Sequence, residues 1–270
     1  MALPMHETID GIVIKAVDTG DKKRYLTVLT ATMGRITLLA NAGHSMHSHQ
    51  MAVSQLYNYG NFEYYHKGSA RILKSGSVIE TFYGVSADID RMNLAAYLCE
   101  LSWELTDEGE PADQMLRLLL NSLHAIANEL RPLDQIKGAF EIRAAAISGY
   151  EPDLSGCAEC GKSDSEVYFL DVMNGALYCE SCRAKRNKTP VSEAYADELR
   201  EAEILSVLTP SGCAAFRFCV NAPLGRLLSF ELRDARELSD FSKAAETYLL
   251  SHIGHGFGSL QFYNEMRSIK

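Results

Sequence analysis

The chain has 270 residues, too many for one small module and enough for two domains; 47% of them are apolar and 23% charged, which excludes a disordered composition. Its formal charge of −9 argues against a uniformly basic nucleic-acid binder. The charge is unevenly spread. Residues 1–80 carry eight Lys/Arg against six Asp/Glu, whereas the remainder carries 18 against 29, so a polyanion would have to choose its surface. The opening MALPMHETID has neither a basic nor an apolar leader segment, and no run approaches the ~18 apolar residues that span a bilayer. A cytoplasmic protein with no membrane partner is expected. Thiols stay reduced there, so its seven cysteines point to metal or reactivity rather than disulfides.

From residue 8 to residue 80 the pattern has a period near two. Turn signals at Thr19-Gly20-Asp21, Met33-Gly34, Lys67-Gly68 and Ser75-Gly76 divide it into about five short strands. Five strands with no helix long enough to cover them predict a small closed barrel. Lys22, Lys23 and Arg24 share a turn, Arg35 follows a glycine, and Arg71 and Lys74 flank a strand; tyrosines 25, 57, 59, 64 and 65 and Phe62 are interleaved. Such a barrel suits single strands, whose phosphates meet cations and whose bases stack on rings. The competing reading is that alternate aromatics fill the interior while the lysines keep the surface wet. His44, His47 and His49, in HSMHSH, read as a solvated loop.

Near Ser86 the period becomes helical. Leu94, Leu98, Leu101 and Leu105 predict a helix ending at Gly109 before Pro111. A second carries Leu116, Leu119, Leu120, Leu123 and Ile126, and a third runs from about Pro132 through Ile136, Phe140 and Ile147 to Gly149. Helical patterning resumes over 192–207 and returns in ARELSDFSKAAETYLLSHI and GSLQFYNEMRSI. The expected organisation is α+β: a barrel over 1–82 and an all-α domain over 83–270, with a cysteine module inserted at about 153–190. Cys99, Cys213 and Cys219 read as core residues, and Asp88/Asp90 as helix-capping carboxylates.

That module reads CAECGKSDSEVYFLDVMNGALYCESC. Cys157/Cys160 and Cys179/Cys182 form two C-x2-C pairs 18 residues apart, inside the spacing of a four-thiolate zinc site. Between them lie two strand-like runs joined by Asn174-Gly175, a pair favoured in type I′ hairpin turns. A hairpin with a thiolate knuckle at each open end is a zinc ribbon. Four thiolates fill a tetrahedral ion, so one zinc held for shape is expected rather than a catalytic zinc with an open position. Redox pairs and an iron–sulfur cluster are the alternatives. The basic run Arg183, Lys185, Arg186, Lys188 follows directly, either as a solvated exit or as a phosphate contact fixed by the metal. GHGFG at 254–258 lacks dinucleotide-loop spacing. With no Walker A, G-x-S-x-G, H-E-x-x-H or H-x-E, no catalytic residue is assigned and the chain is not expected to be an enzyme.

The order of parts, from TGDKKRYLTVLTATMGRITLLA through LAAYLCELSWELTDEGEP, MLRLLLNSL, FEIRAAAISGYEPDLSGCAECG and GALYCESC to a terminal LQFYNEM, resembles the RecO family of bacterial recombination mediators in its zinc-bearing form. The resemblance covers nearly the whole chain and is most specific over 140–182. It implies an N-terminal OB-fold, a helical domain and a zinc module. It also implies DNA repair at the nucleoid: binding single- and double-stranded DNA, annealing complementary strands, and association with RecR. Recognition of the C-terminal tail of single-strand binding protein, so that RecA can load, completes the set. Arg24 matches the arginine of the family's DRILTLLT stretch, Gly34-Arg35 its GR turn, and the four cysteines its zinc ligands. Lys137 and Phe140 are placed at the tail pocket. One departure stands out: where the family has a basic run resembling AKGARKPKS, this chain has ANAGHSMHSHQ, whose histidines are cationic only below about pH 6.5. Two further readings remain, a zinc-organised scaffold that binds only proteins and a metal-dependent nucleic-acid enzyme.

Overall fold

The computed structural model describes residues 6–19, 23–41, 49–188 and 204–268, with the backbone alone at Asn41, His49, Asn187 and Lys188. Lys22, His44 and His47 lie outside the described residues, as does the side chain of His49. The chain divides into two compact units, residues 1–128 with 257–270 and residues 129–256.

Five strands build the first unit: β1 (His6–Thr19), β2 (Lys23–Thr30), β3 (Gly34–Asn41), β4 (Tyr59–Lys67) and β5 (Ala70–Glu80). They close into the expected barrel in the order β1-β2-β3-β5-β4, which is an OB-fold. Closure depends on β1, which pairs with β2 over one stretch and β4 over another; a bulge between Val13 and Lys15 bends the strand between its two partners. The period of two sends Val13, Leu26, Val28, Ile36, Leu38, Phe62, Tyr64 and Leu73 inward. Of the interleaved aromatics, Phe62 and Tyr64 thus fill the interior, while Tyr25 remains 45% exposed. A short helix, α1 (His49–Val53), plugs the barrel with Val53, and a Cβ at Gly60 or Gly76 would come within 2.7 Å of that valine's methyl groups. Gly34 turns the chain between β2 and β3 at φ +58°; a Cβ there would lie 1.9 Å from the Asp107 carbonyl oxygen.

Two helices and the C-terminal helix complete this unit. Asp88 caps α2 (Ile89–Glu104), accepting from the amides of Asp90 and Arg91. The helix stops at Glu104, short of the expected Gly109. It is followed by α3 (Asp113–Ala127), and Gly258–Ser268 packs along α2. The compact units therefore divide at a different place from the change of period near residue 86, since these helices cluster with the barrel.

In the second unit α4 (Leu133–Ile147) leads into a four-stranded sheet of β6 (Asp153–Cys157), β7 (Tyr168–Asp171), β8 (Ala176–Cys179) and β9 (Leu205–Leu208), ordered β6-β8-β7-β9. After β8 comes α5 (Glu180–Lys188); after β9 come α6 (Pro210–Asn221) and α7 (Ala235–Ile253). Two expectations are corrected here. Residues 205–207 were expected to be helical, but with Leu208 they pair antiparallel with β7; Leu205-Ser206-Val207 alternates and Pro210 ends the run. The rest of that predicted helix, up to residue 203, lies outside the described residues. The β7–β8 hairpin forms, but over residues 172–175 rather than a two-residue turn: Asp171 accepts from the Asn174 amide at 3.1 Å and from its side-chain nitrogen at 2.8 Å. The helix α6 escaped the sequence reading altogether; Thr209 caps it and Pro210 opens it.

Candidate metal centre and nucleic-acid face

The sheet of the second unit brings the two C-x2-C pairs together. Cys157 ends β6 and Cys179 ends β8; the Gly161 amide donates to the Cys157 carbonyl at 2.8 Å and the Cys157 amide to the Lys162 carbonyl at 2.9 Å, which curls 157–162 into a knuckle. Gly161, at φ +71°, makes that curl affordable. The second pair spans the end of β8 and the first turn of α5. Sulfur atoms of Cys157, Cys160, Cys179 and Cys182 all lie within 4.8 Å of one another, with Cys160 and Cys179 at 3.8 Å. Four thiolates ~2.3 Å from one tetrahedral ion would stand ~3.8 Å apart, so the donor set and its spacing fit a metal ion. Cys157, Cys179 and Cys182 are buried and Cys160 is exposed. The Ser181 hydroxyl, 3.2 Å from the Cys179 sulfur, and the Cys182 amide lower the Cys179 thiol to about 6, against the opposing effect of burial. Cys182 moves the other way, held protonated by hydrogen bonds with Cys160 and Cys179. Sulfur binds a cation as thiolate, so a metal ion held here would displace the remaining thiol protons.

The basic residues of the barrel do not form one surface. On the outer side of β1, β2 and β3, cross-strand rows run Lys15–Thr27–Thr37, Val17–Tyr25–Leu39 and Thr19–Lys23, with Arg35 opposite Leu29. Lys23 and Arg35 belong to this face. Arg24 takes the opposite phase, beside core residues Leu26 and Ala40, and makes a two-point pair with Asp18 at 2.6 and 2.8 Å that raises its already high pKa. Arg71 lies in register with core residue Leu38 and pairs with Glu108 at 2.6 Å, and Lys74 pairs with Glu63 at 2.8 Å. Asp107 lies 3.3 Å from Arg35. Each of these four cations therefore offers an incoming phosphate less than its formal charge suggests.

Two participants escaped the sequence reading. Lys15 and Trp103 meet Arg35 in space: its guanidinium stacks over the Trp103 ring at 4.2 Å and donates to the Trp103 carbonyl, and the Lys15 ammonium is 5.9 Å from the same ring. Trp103 sits 68 residues from Arg35, on α2, so no local pattern links them. On α5, Lys185 and Arg186 are exposed; Arg186 stacks over Tyr178 at 4.5 Å and lies 3.8 Å from Glu159.

Lys137 and Phe140 are interior residues of α4, 2% and 0% exposed. The Lys137 ammonium lies 3.0 Å from Glu141 and 2.7 Å from Glu246 of α7. Burial alone would lower its pKa; the two carboxylates outweigh that and raise it.

Comparison with known proteins places the chain. The model of Recombination protein O, N terminal, matches residues 5–82, and that of Recombination protein O, C terminal, matches residues 86–261. The chain belongs to the RecO family. It is 28% identical over 261 residues to the DNA repair protein RecO of Acetivibrio thermocellus, covering 96% of this chain and 97% of that one. To the DNA repair protein RecO of Bacillus pumilus it is 31% identical over 192 residues, covering 71% and 74%. The counterpart in Streptomyces griseus is 26% identical over 261 residues, 94% and 96% of the two chains. Each of these three relatives is named as a DNA repair protein. No helix among the described residues is long and apolar enough to cross a membrane.

Proposed function

We propose that this protein is a recombination mediator that binds single- and double-stranded DNA, anneals complementary strands and, with RecR, helps RecA load on DNA coated with single-strand binding protein. The observation that carries the DNA reading is the outer face of β1–β3, where Lys15, Lys23 and Arg35 border the exposed rings of Tyr25 and Trp103. Cations that neutralise phosphates beside rings that accept bases are what a single strand needs. Arg24, Arg71 and Lys74, with Lys22, contribute a weaker surrounding field, and Lys185 and Arg186 a secondary contact.

The four thiolates hold one zinc ion whose role is to fasten β6, β8 and the start of α5 together. With all four positions filled by sulfur, no position is left for water, and the ion supplies shape rather than chemistry. The tail of single-strand binding protein is assigned to the α4–α7 region. Glu246, 25% exposed, is the outer of Lys137's two partners. A peptide carboxylate entering there would replace Glu246 at the ammonium, while Phe140 lies behind in the core.

Strand annealing measured with and without single-strand binding protein, at two salt concentrations, tests the reading. Annealing that weakens as salt rises and survives coating by single-strand binding protein is expected. Binding of the tail peptide without any annealing or DNA binding would replace the mediator with a protein-only scaffold, and magnesium-dependent cleavage of labelled DNA would replace it with an enzyme.

A further inference from the structure

The chain contains one tryptophan, and it is not a core residue. On the same helix Tyr97 is fully buried, as a large aromatic with a packing role is. Trp103, at the last turn, is 39% exposed. Its ring is flanked by cations, Arg35 at 4.2 Å and Lys15 at 5.9 Å. The Arg35 guanidinium is in turn fixed by the Trp103 carbonyl and by Asp107, so ring and guanidinium are held as one preorganised stack. From this stack the outer face continues through Lys15, then Val17 and Tyr25, each 45% exposed, to Lys23. Successive rows along a strand are ~6.8 Å apart, so the strip runs for roughly 20 Å with cations at both ends and apolar or aromatic side chains between.

We infer that Trp103, with Arg35 upon it and Lys15 beside it, is a nucleobase-stacking site that makes this face select single-stranded nucleic acid over duplex. The inference rests on the reading above that the outer face of β1–β3 carries DNA, and adds the ligand group and the residue that takes it. An indole or guanidinium plane can stack only on a base whose own face is free. In a duplex those faces are covered by neighbouring base pairs, and only phosphates and groove edges are offered. Lys15 and Lys23 serve phosphates in either form; Trp103 serves only the unpaired strand. Arg35 belongs to both sets, because a phosphate that draws it from Asp107 leaves its plane on the ring.

With one tryptophan, emission excited beyond tyrosine absorption reports on this site alone. The full-length protein is titrated at low salt with oligothymidine, with an abasic oligonucleotide of equal length, and with duplex. Quenching by oligothymidine but by neither of the others is expected. Trp103→Ala should weaken oligothymidine binding by about 5- to 150-fold, the range for one stacked base, and weaken duplex binding much less, through the loosened Arg35 alone. Trp103→Phe, which keeps a ring and guards against a folding defect, should retain most of the affinity. Oligothymidine that binds with unaltered emission, or equal quenching by the abasic strand, overturns the stacking site while leaving the DNA-binding face in place. If neither oligothymidine nor duplex binds, the DNA reading falls and the stacking site with it.

Discussion

At Lys137 the cost of burying one charge is met by two others. The ammonium and the Glu141 carboxylate are almost wholly removed from water, and Glu246 brings a second carboxylate to the ammonium. Removing one partner of such a group leaves uncompensated buried charge, so Lys137→Met should destabilise the second unit by about 3–5 kcal/mol, seen as a lower thermal midpoint. Pairing it with Glu141→Leu should restore part of the loss, since the two side chains are coupled. The pH dependence follows from the raised pKa of Lys137. A group whose folded pKa lies above its unfolded value stabilises fully below the unfolded value, ~10.4 for lysine, and the contribution is lost as pH rises through the folded one. The midpoint should therefore be insensitive to this group near neutrality and fall in strongly alkaline buffer, a fall that Lys137→Met lacks. Loss of tail-peptide binding by a Lys137 variant reports on the pocket only if this loss of stability is measured beside it.

Among the elements, the zinc module depends most on something other than its own core. Its four strands are short, four or five residues each, and the thiols lie where β6, β8 and α5 meet. Purified protein should contain about one zinc per chain. Stripping the metal, or Cys157→Ser or Cys182→Ser, should open residues 153–188 to protease while the barrel stays resistant, because metal-binding free energy is folding free energy in such modules. Iron, or no metal in a well-folded sample, would count against zinc. The module's legibility was uneven for physical reasons. Its cysteine spacing and its hairpin could be read from residues close in sequence. Strand β6 could not, since Asp153-Leu154-Ser155-Gly156-Cys157 becomes a strand only by pairing in parallel with β8. The helical reading of 205–207 failed because so short a segment has no period long enough to tell helix from strand. The barrel was plain throughout, its alternation repeated over five strands. Its proposed DNA face was not: Trp103, Lys15 and Arg35 are joined by the packing of α2 against the barrel, and Arg24, Arg71 and Lys74 looked available until their acidic partners were in view.

For the whole molecule the proposed DNA binding has to be reconciled with a formal charge of −9. Long-range attraction cannot supply it, because the average field is repulsive. The cations must act locally, over distances comparable to the Debye length of ~10 Å at 0.1 M salt. Local contact has a measurable signature: the logarithm of the affinity for a single strand falls by about 0.7 per phosphate contact for each tenfold rise in salt. Lys15→Glu with Lys23→Glu removes two contacts on the β1–β3 face, so it should lower affinity and flatten that slope by about 1.4, with zinc content unchanged. Arg24→Glu should behave differently. It sets a second carboxylate beside Asp18 in place of a two-point ion pair, so its principal effect should be on the stability of the β1–β2 end of the barrel. Lys185→Glu with Arg186→Glu, on α5, should cost less affinity than the Lys15/Lys23 pair and change the slope less. If the α5 variant instead loses the slope while the Lys15/Lys23 variant keeps it, phosphates are read beside the metal centre. The barrel would then contribute its rings rather than its charges.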